Sequence, residues 1–136
     1  IQPVDWQTHH AELSAIRFAV FVEEQGFAPE IELDGEDGNC CHVLATNEAG
    51  QPVGTARLLP DGHIGRVAVL SSYRKLGIGR QMMETLAVIA RERGLKQVEL
   101  SSQTHAVPFY TDLGYVPVGE IYDEAGAPHQ KMIRAL

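Results

Sequence analysis

The chain has 136 residues, 44% of them hydrophobic and 21% charged, enough for one domain with an enclosed core. A net charge of −7 argues against a general nucleic-acid surface, and no apolar run approaches the roughly 18 residues that a membrane span needs. The two cysteines, Cys40 and Cys41, are adjacent, which rules out a C-x-x-C metal knuckle, makes a poor structural disulfide and fits a reducing cytoplasm. No cationic and apolar signal pattern opens the sequence, although the missing initiator Met leaves room for a trimmed start.

In chain order, Ile1 to Val4 read as a short edge strand, followed by a helix from about Trp6 to Val22 in which Leu13, Ile16, Val20 and Phe21 recur at helical spacing. Gly26 and Pro29 end it. Between Glu23 and Asp37 lie seven acids and no base, which reads either as a solvated loop or as a mouth that attracts a cationic amine. Three strands are expected near His42 to Thr46, Val53 to Leu59 and His63 to Leu70, separated by compact turns at residues 48–52 and 60–62, the pattern of two antiparallel hairpins. A helix follows from about Gly79 to Arg93, with Met82, Met83, Leu86, Ile89 and Ala90 as its apolar stripe and Gly94 beyond its end. A strand around Val98 and Leu100 comes next, then a short helix capped by Thr104 and running through Leu113. Two strands near Tyr115 to Glu120 and His129 to Leu136 close the chain. The order β-α-βββ-α-β-α-ββ predicts one α+β domain over residues 1–136, a mixed sheet with helices on its faces.

The most specific stretch is Arg66 to Arg80, a β-rich run that breaks into the basic turn Arg74-Lys75-Leu76-Gly77-Ile78-Gly79-Arg80 and then a helix. Gly77 and Gly79 let backbone approach a ligand, and the helix start points unpaired N–H groups and its positive dipole end at that spot. From Ser71 to Lys96 six basic residues stand against two acidic ones, so positive charge gathers where a polyanion would sit. A Rossmann fingerprint fails because the third glycine position is Met82, and a P-loop fails for want of Gly-Lys-Ser/Thr. About thirty residues on comes a second motif, Ser101-Ser102-Gln103-Thr104-His105-Ala106-Val107-Pro108-Phe109-Tyr110-Thr111-Asp112-Leu113-Gly114-Tyr115.

In this order and spacing the two motifs resemble those of the GNAT superfamily of acyl-CoA-dependent N-acyltransferases, over essentially the whole chain from Trp6 onward. Residues 20–25, Glu32-Leu33-Asp34-Gly35-Glu36-Asp37 followed by His42, and Gly126-Ala127-Pro128-His129 are similar to its small bacterial ElaA-like branch. The resemblance implies a mostly antiparallel central sheet with helices on both faces, and acetyl transfer from acetyl-CoA to a primary amine without a covalent enzyme intermediate. It implies that residues 74–80 hold the pyrophosphate through backbone N–H groups, with charge from Arg74, Lys75 and Arg80. Val67, Ala68 and Val69 would pair with the pantetheine arm, and a backbone N–H near Val69 would polarise the thioester carbonyl. Gln103 stands at the family's usual Asn position and would contact the same arm.

Tyr110 would be the general acid that protonates the departing thiolate, a phenol near pKa 10 facing a thiol nearer 8.5. The alternative is that it packs beside Phe109 and Tyr115. The acceptor, an alkylammonium, must lose a proton before it attacks. His63 is the first candidate base, with Glu24, Asp34, His42 and His105 as others, each with a structural reading beside it. The six histidines lack helical metal-ligand spacing, so no metal is expected. The competing function is a non-catalytic acyl-CoA-binding or sensor module. The acceptor is a small-molecule or peptide amine, with no nucleic-acid or membrane partner, and the family's habit of pairing through C-terminal strands allows a homodimer.

Overall fold

The computed structural model describes residues 1–32 and 34–136, the side chains of 31 and 32 excepted. Leu33 and the side chain of Glu32, both inside the acidic motif at residues 32–37, therefore lie outside the described residues. Strand β1 (Gln2–Val4) leads into α1 (Trp6–Arg17), where the side chain of Asp5 accepts a hydrogen bond from the Thr8 N–H at 2.7 Å and so caps the first turn. The helix does not stop at Arg17. It widens into a π-helical stretch, Phe18–Glu24, which rotates the side chains of its last turns away from simple α-helical register. Within the expected acidic loop lie a short α2 (Pro29–Glu32) and a 3-10 turn (Asp37–Asn39).

Strands β2 (Cys41–Thr46), β3 (Pro52–Leu58) and β4 (Ile64–Val69) form the two expected hairpins, and β1 pairs with β2 to complete an antiparallel sheet in the order β1-β2-β3-β4. Helix α3 (Ile78–Glu92) connects it to β5 (Gln97–Gln103). Thr104 opens a 3-10 turn rather than capping the next helix; α4 (Val107–Asp112) starts three residues later, with Pro108 in the first turn, where no N–H is needed. Strands β6 (Val116–Glu124) and β7 (Ala127–Ala135) then build a second antiparallel sheet in the order β5-β7-β6. The expected α+β, mostly antiparallel architecture is present, divided into two sheets. They touch where His63 and Glu99 form a parallel bridge and the Glu99 N–H donates to the Gly62 carbonyl at 3.0 Å. Beyond that bridge β4 and β5 diverge, and a cleft opens between them.

Helix α3 lies under both sheets. Its buried Met82, Met83, Leu86 and Ala90 pack with Val43, Ala56, Leu58 and Ile64 of the first sheet and with Val98, Leu100 and Met132 of the second. A smaller core forms on the other face of the first sheet, where Leu13, Ile16 and Val20 meet Leu44 and Ala68. Strand β4 serves both cores because it carries a bulge: Thr55 pairs with Ala68 but Arg57 pairs with Gly65, and Arg66 takes φ +50° in between. The extra residue reverses the alternation. Ile64 and Val67 would otherwise point to opposite faces, yet both pack on the α3 core, as Val69 does, while Ala68 turns toward α1.

Candidate active site

The cleft between β4 and β5 widens into a cavity of about 400 Å³. Its walls include Gly65, Arg66 and Val67 of β4, Leu100 to Gln103 of β5, Phe21 and Gln25 from the π-helical stretch and its end, and Tyr110 of α4. Strand alternation decides what backbone faces the cleft. The Leu70 N–H is bonded to the Val53 carbonyl at 2.9 Å, on the β3 side, so the preceding N–H, that of Val69, points away from β3 and toward the cleft. Gln103 donates from Nε2 to Oε1 of Gln25 at 2.9 Å and ties the end of β5 to the π-helical segment across the cavity mouth.

Tyr110 is 9% exposed, with its ring edge-on to Phe109 at 5.0 Å and to Tyr115 at 5.9 Å. Burial, with the neighbouring Tyr115, drives its pKa upward, so the phenol keeps its proton and is a donor. The same burial pushes Tyr115 up to about 12. His63 also lines the cavity, at the corner where the sheets meet, with Nδ1 2.9 Å from Oδ1 of Asp61 and Nε2 2.8 Å from Oε1 of Glu99. A neutral imidazole has one N–H for these two carboxylates. The hydrogen bond from His63 holds Asp61 below the usual carboxylate range.

Beyond Val69 the chain turns twice through left-handed backbone, Lys75 at φ +64° and Gly77 at φ +85°, and Gly77 then caps α3. The first internal bond of that helix runs from the Gln81 N–H to the Gly77 carbonyl at 3.0 Å, which leaves the N–H groups of Ile78, Gly79 and Arg80 without a helical partner. Together they make a concave, positively polarised surface that fits a pyrophosphate. At Gly79 a Cβ would come within 3.2 Å of Phe109 Cζ, so the bare backbone lets α4 close against the cradle. Adjacent residues of α4 thus serve adjacent parts of the site, Phe109 at the cradle and Tyr110 in the cavity. Lys75, Leu76 and Arg80 are exposed there. Arg74 is engaged elsewhere: its two terminal nitrogens reach Glu24 at 2.6 Å each and its Nε donates to the Val69 carbonyl at 3.0 Å.

Of the described acids in the acidic segment, Glu23, Glu24, Glu30, Asp34 and Glu36 are exposed and Asp37 turns inward. Asp37 is 4% exposed and bridges Arg17 at 2.9 Å and Arg57 at 3.0 Å, while Arg57 also pairs with Asp34. Burial alone would raise Asp37, but the two guanidinium groups hold it below its ordinary value; the Arg57 hydrogen bond holds Asp34 well below. Arg74 does the same to Glu24. Of the other base candidates, His42 is sealed under Trp6 at 5.4 Å with Nε2 3.0 Å from the Asp37 carbonyl, and His105 lines the cavity from an exposed turn. The cavity also holds Glu124 and His129, which the sequence marks by the Gly126 to His129 motif without assigning it chemistry. Among the described residues no group of His, Cys, Asp and Glu is arranged to hold a metal ion, and the two cysteines are free.

A family profile described as an acetyltransferase (GNAT) domain matches residues 8–136. Protein ElaA of Escherichia coli is 36% identical over 149 aligned residues, covering 96% of this chain and 96% of that protein. Its crystal structure aligns with a TM-score of 0.83 at 33% identity, over 98% of this chain and 97% of that one. The crystal structure of an acyl-CoA N-acyltransferase from Pseudomonas aeruginosa gives a TM-score of 0.85 at 34% identity, covering 98% of each chain. An aminoglycoside 6'-N-acetyltransferase crystallised with coenzyme A shares the fold, at a TM-score of 0.76 and 17% identity over 99% of this chain and 97% of that one.

Proposed function

The chain belongs to the GNAT acetyltransferase family, and on that premise we propose that it transfers an acetyl group from acetyl-CoA to a primary amine by direct attack. The observation that carries the reading is the continuity of the site. Strand β4 borders the cavity at Gly65, Arg66 and Val67 and leads into the N–H cradle at residues 74–80, and α4 reaches both, with Phe109 against Gly79 and the buried phenol of Tyr110 in the cavity.

In this reading the backbone of residues 74–80, with Lys75 and Arg80, binds the pyrophosphate. The Arg74 side chain ties the cradle to Glu24. Val67, Ala68 and Val69 pair with the pantetheine arm, the outward Val69 N–H polarises the thioester carbonyl, and Gln103 contacts the arm from β5. Tyr110 gives its proton to the departing sulfur. Its raised pKa makes it a weak acid, but also keeps it fully protonated, and in a dry pocket the thiolate is the stronger base. His63 sits at the rim, where its ring joins Asp61 to Glu99 and borders the acceptor's path. The reaction runs in the cytoplasm, and two copies pair through the C-terminal strands, a reading supported by β6, an edge strand exposed along its length with Val116 and Ile121 more than half uncovered.

Calorimetric titration with acetyl-CoA, with NAD as the control, tests the donor side, and release of free thiol across a panel of primary amines tests transfer. Binding of acetyl-CoA with thiol release is the expected result. Binding with no release from any amine would favour the acyl-CoA sensor, and NAD binding without acetyl-CoA binding would end both readings.

A further inference from the structure

The β6–β7 hairpin carries two groups that the reading above leaves unused, Glu124 at the end of β6 and His129 near the start of β7. Ala125 at φ +54° and Gly126 at φ +83° reverse the chain between them, so both side chains come to the same wall of the cavity. His129 is 6% exposed and its ring stacks on Tyr122 at 6.3 Å. Its Nδ1 lies 2.8 Å from the Ala127 carbonyl oxygen. A carbonyl only accepts, so Nδ1 carries the proton and Nε2 of the neutral ring keeps a bare lone pair. That lone pair lies 3.4 Å from Oε2 of Glu124. Ser101 donates to the same oxygen at 3.3 Å and is itself hydrogen-bonded to the Tyr122 hydroxyl, so its one proton is spent on the carboxylate. With the ring neutral, Nε2 and the Glu124 oxygen are two acceptors facing each other at the cavity wall.

A primary ammonium supplies the missing donors. We propose that Glu124 and His129 form the subsite that receives the acceptor's ammonium and removes its proton, an inference that rests on the acetyl-transfer reading. Glu124 attracts the cation, and one N–H bond breaks as its proton passes to His129 Nε2, leaving a lone pair on the amine. That pair forms the new C–N bond as the C–S bond breaks. Tyr110 protonates the sulfur and recovers a proton from the acylated nitrogen, while the proton on His129 leaves through Glu124, whose side chain is 53% exposed. The overall reaction yields amide, thiol and one proton. Of the other candidates, Glu24 is held by Arg74, Asp34 by Arg57 and His42 by the Asp37 carbonyl, His63 has a carboxylate at each nitrogen, and His105 stands on an exposed turn at the cavity's edge. Arg57 and Arg66 also border the cavity, with Asp34 and Asp37 set against their charge.

The test compares two acceptors that suit the Phe21 and Phe27 walls, 2-phenylethylamine, an ammonium near neutral pH, and phenylhydrazine, which is unprotonated there. His129→Asn is expected to lower kcat/KM for 2-phenylethylamine by about 10²-fold or more while phenylhydrazine stays within a few-fold, because general base catalysis is lost only where a proton must be removed. Glu124→Gln is expected to raise KM for 2-phenylethylamine with acetyl-CoA affinity by calorimetry unchanged. Should His129→Asn fail to fold, the exposed Glu124 side chain carries the same comparison. Equal losses for both amines would overturn the proposal, as would wild-type turnover of 2-phenylethylamine by His129→Asn, or no wild-type turnover of either amine while acetyl-CoA binds. Failure of the wild type to bind acetyl-CoA would instead overturn the acetyl-transfer reading.

Discussion

Tyr110 and Asp37 are both buried polar side chains, yet they answer to different demands. Tyr110 meets rings on two sides, and its hydroxyl is the polar atom it brings to the cavity. Tyr110→Phe keeps the packing and removes only that atom, so kcat is expected to fall by about 10²- to 10⁴-fold with acetyl-CoA affinity little changed, read by thiol release beside calorimetry. Unchanged turnover would reduce Tyr110 to a packing residue. Asp37 instead anchors Arg17 and Arg57, and Asp37→Asn strips the carboxylate from between two buried guanidinium groups, at a cost of about 3–5 kcal/mol in urea unfolding. Because Asp37, Asp34 and Glu24 all sit below their ordinary values, the unfolded chain takes up these protons first as pH falls. Their stabilisation is complete above the ordinary carboxylate range near about pH 4 and is lost as pH drops through the lower folded values. The gap between wild type and Asp37→Asn should accordingly narrow in acid, and a constant gap would contradict the pairing.

Among the elements, the turn from β4 into α3 depends most on backbone conformation. Gly77→Ala puts a side chain at φ +85°, where no neighbour lies within 4 Å, so the penalty is conformational, about 1–2 kcal/mol, and should appear as weaker acetyl-CoA binding and a lower Tm together. On the strand itself, hydrogen exchange should show the Val69 amide gaining protection when acetyl-CoA is added, while the Leu70 amide, already bonded to Val53, changes little. The element order was legible in the sequence because turn residues punctuate it, and the cradle because glycine, charge and helix start coincide. The split into two sheets was not, since nothing local says that β4 and β5 meet at His63 and Glu99 and then part. Nor was the inward fate of Asp37 legible, because it finds its partners twenty positions away on either side, at Arg17 and Arg57. The pairing of Glu124 with His129 was hidden for a related reason: it depends on a hairpin whose left-handed turn begins at Ala125, a residue that seldom announces one.

For the whole molecule, the governing fact is that one helix closes both sheets. Leu86 of α3 is fully buried in the core that joins them, so Leu86→Ala should cost about 2–5 kcal/mol. The loss should not be confined to one sheet. Trp6, the single tryptophan, packs on the first sheet at His42, whereas three of the four tyrosines, Tyr110, Tyr115 and Tyr122, lie beyond β5, so tryptophan fluorescence reports the first half and the near-ultraviolet tyrosine signal is weighted toward the second. Their denaturation midpoints should coincide in the wild type and move together in Leu86→Ala; separate midpoints would mean that the halves melt independently. The bulge at Arg66 sets a different kind of limit, on how the gene for such a chain can change length. With Arg66 itself removed, Ile64 and Val67 would stand two positions apart and keep their faces along with Ala68 and Val69, whereas removal of Val67 or Ala68 would turn Val69 over against α1. Among working relatives, a change of length inside β4 should therefore fall at the position of Arg66, and the run that corresponds to residues 67–69 should keep its count.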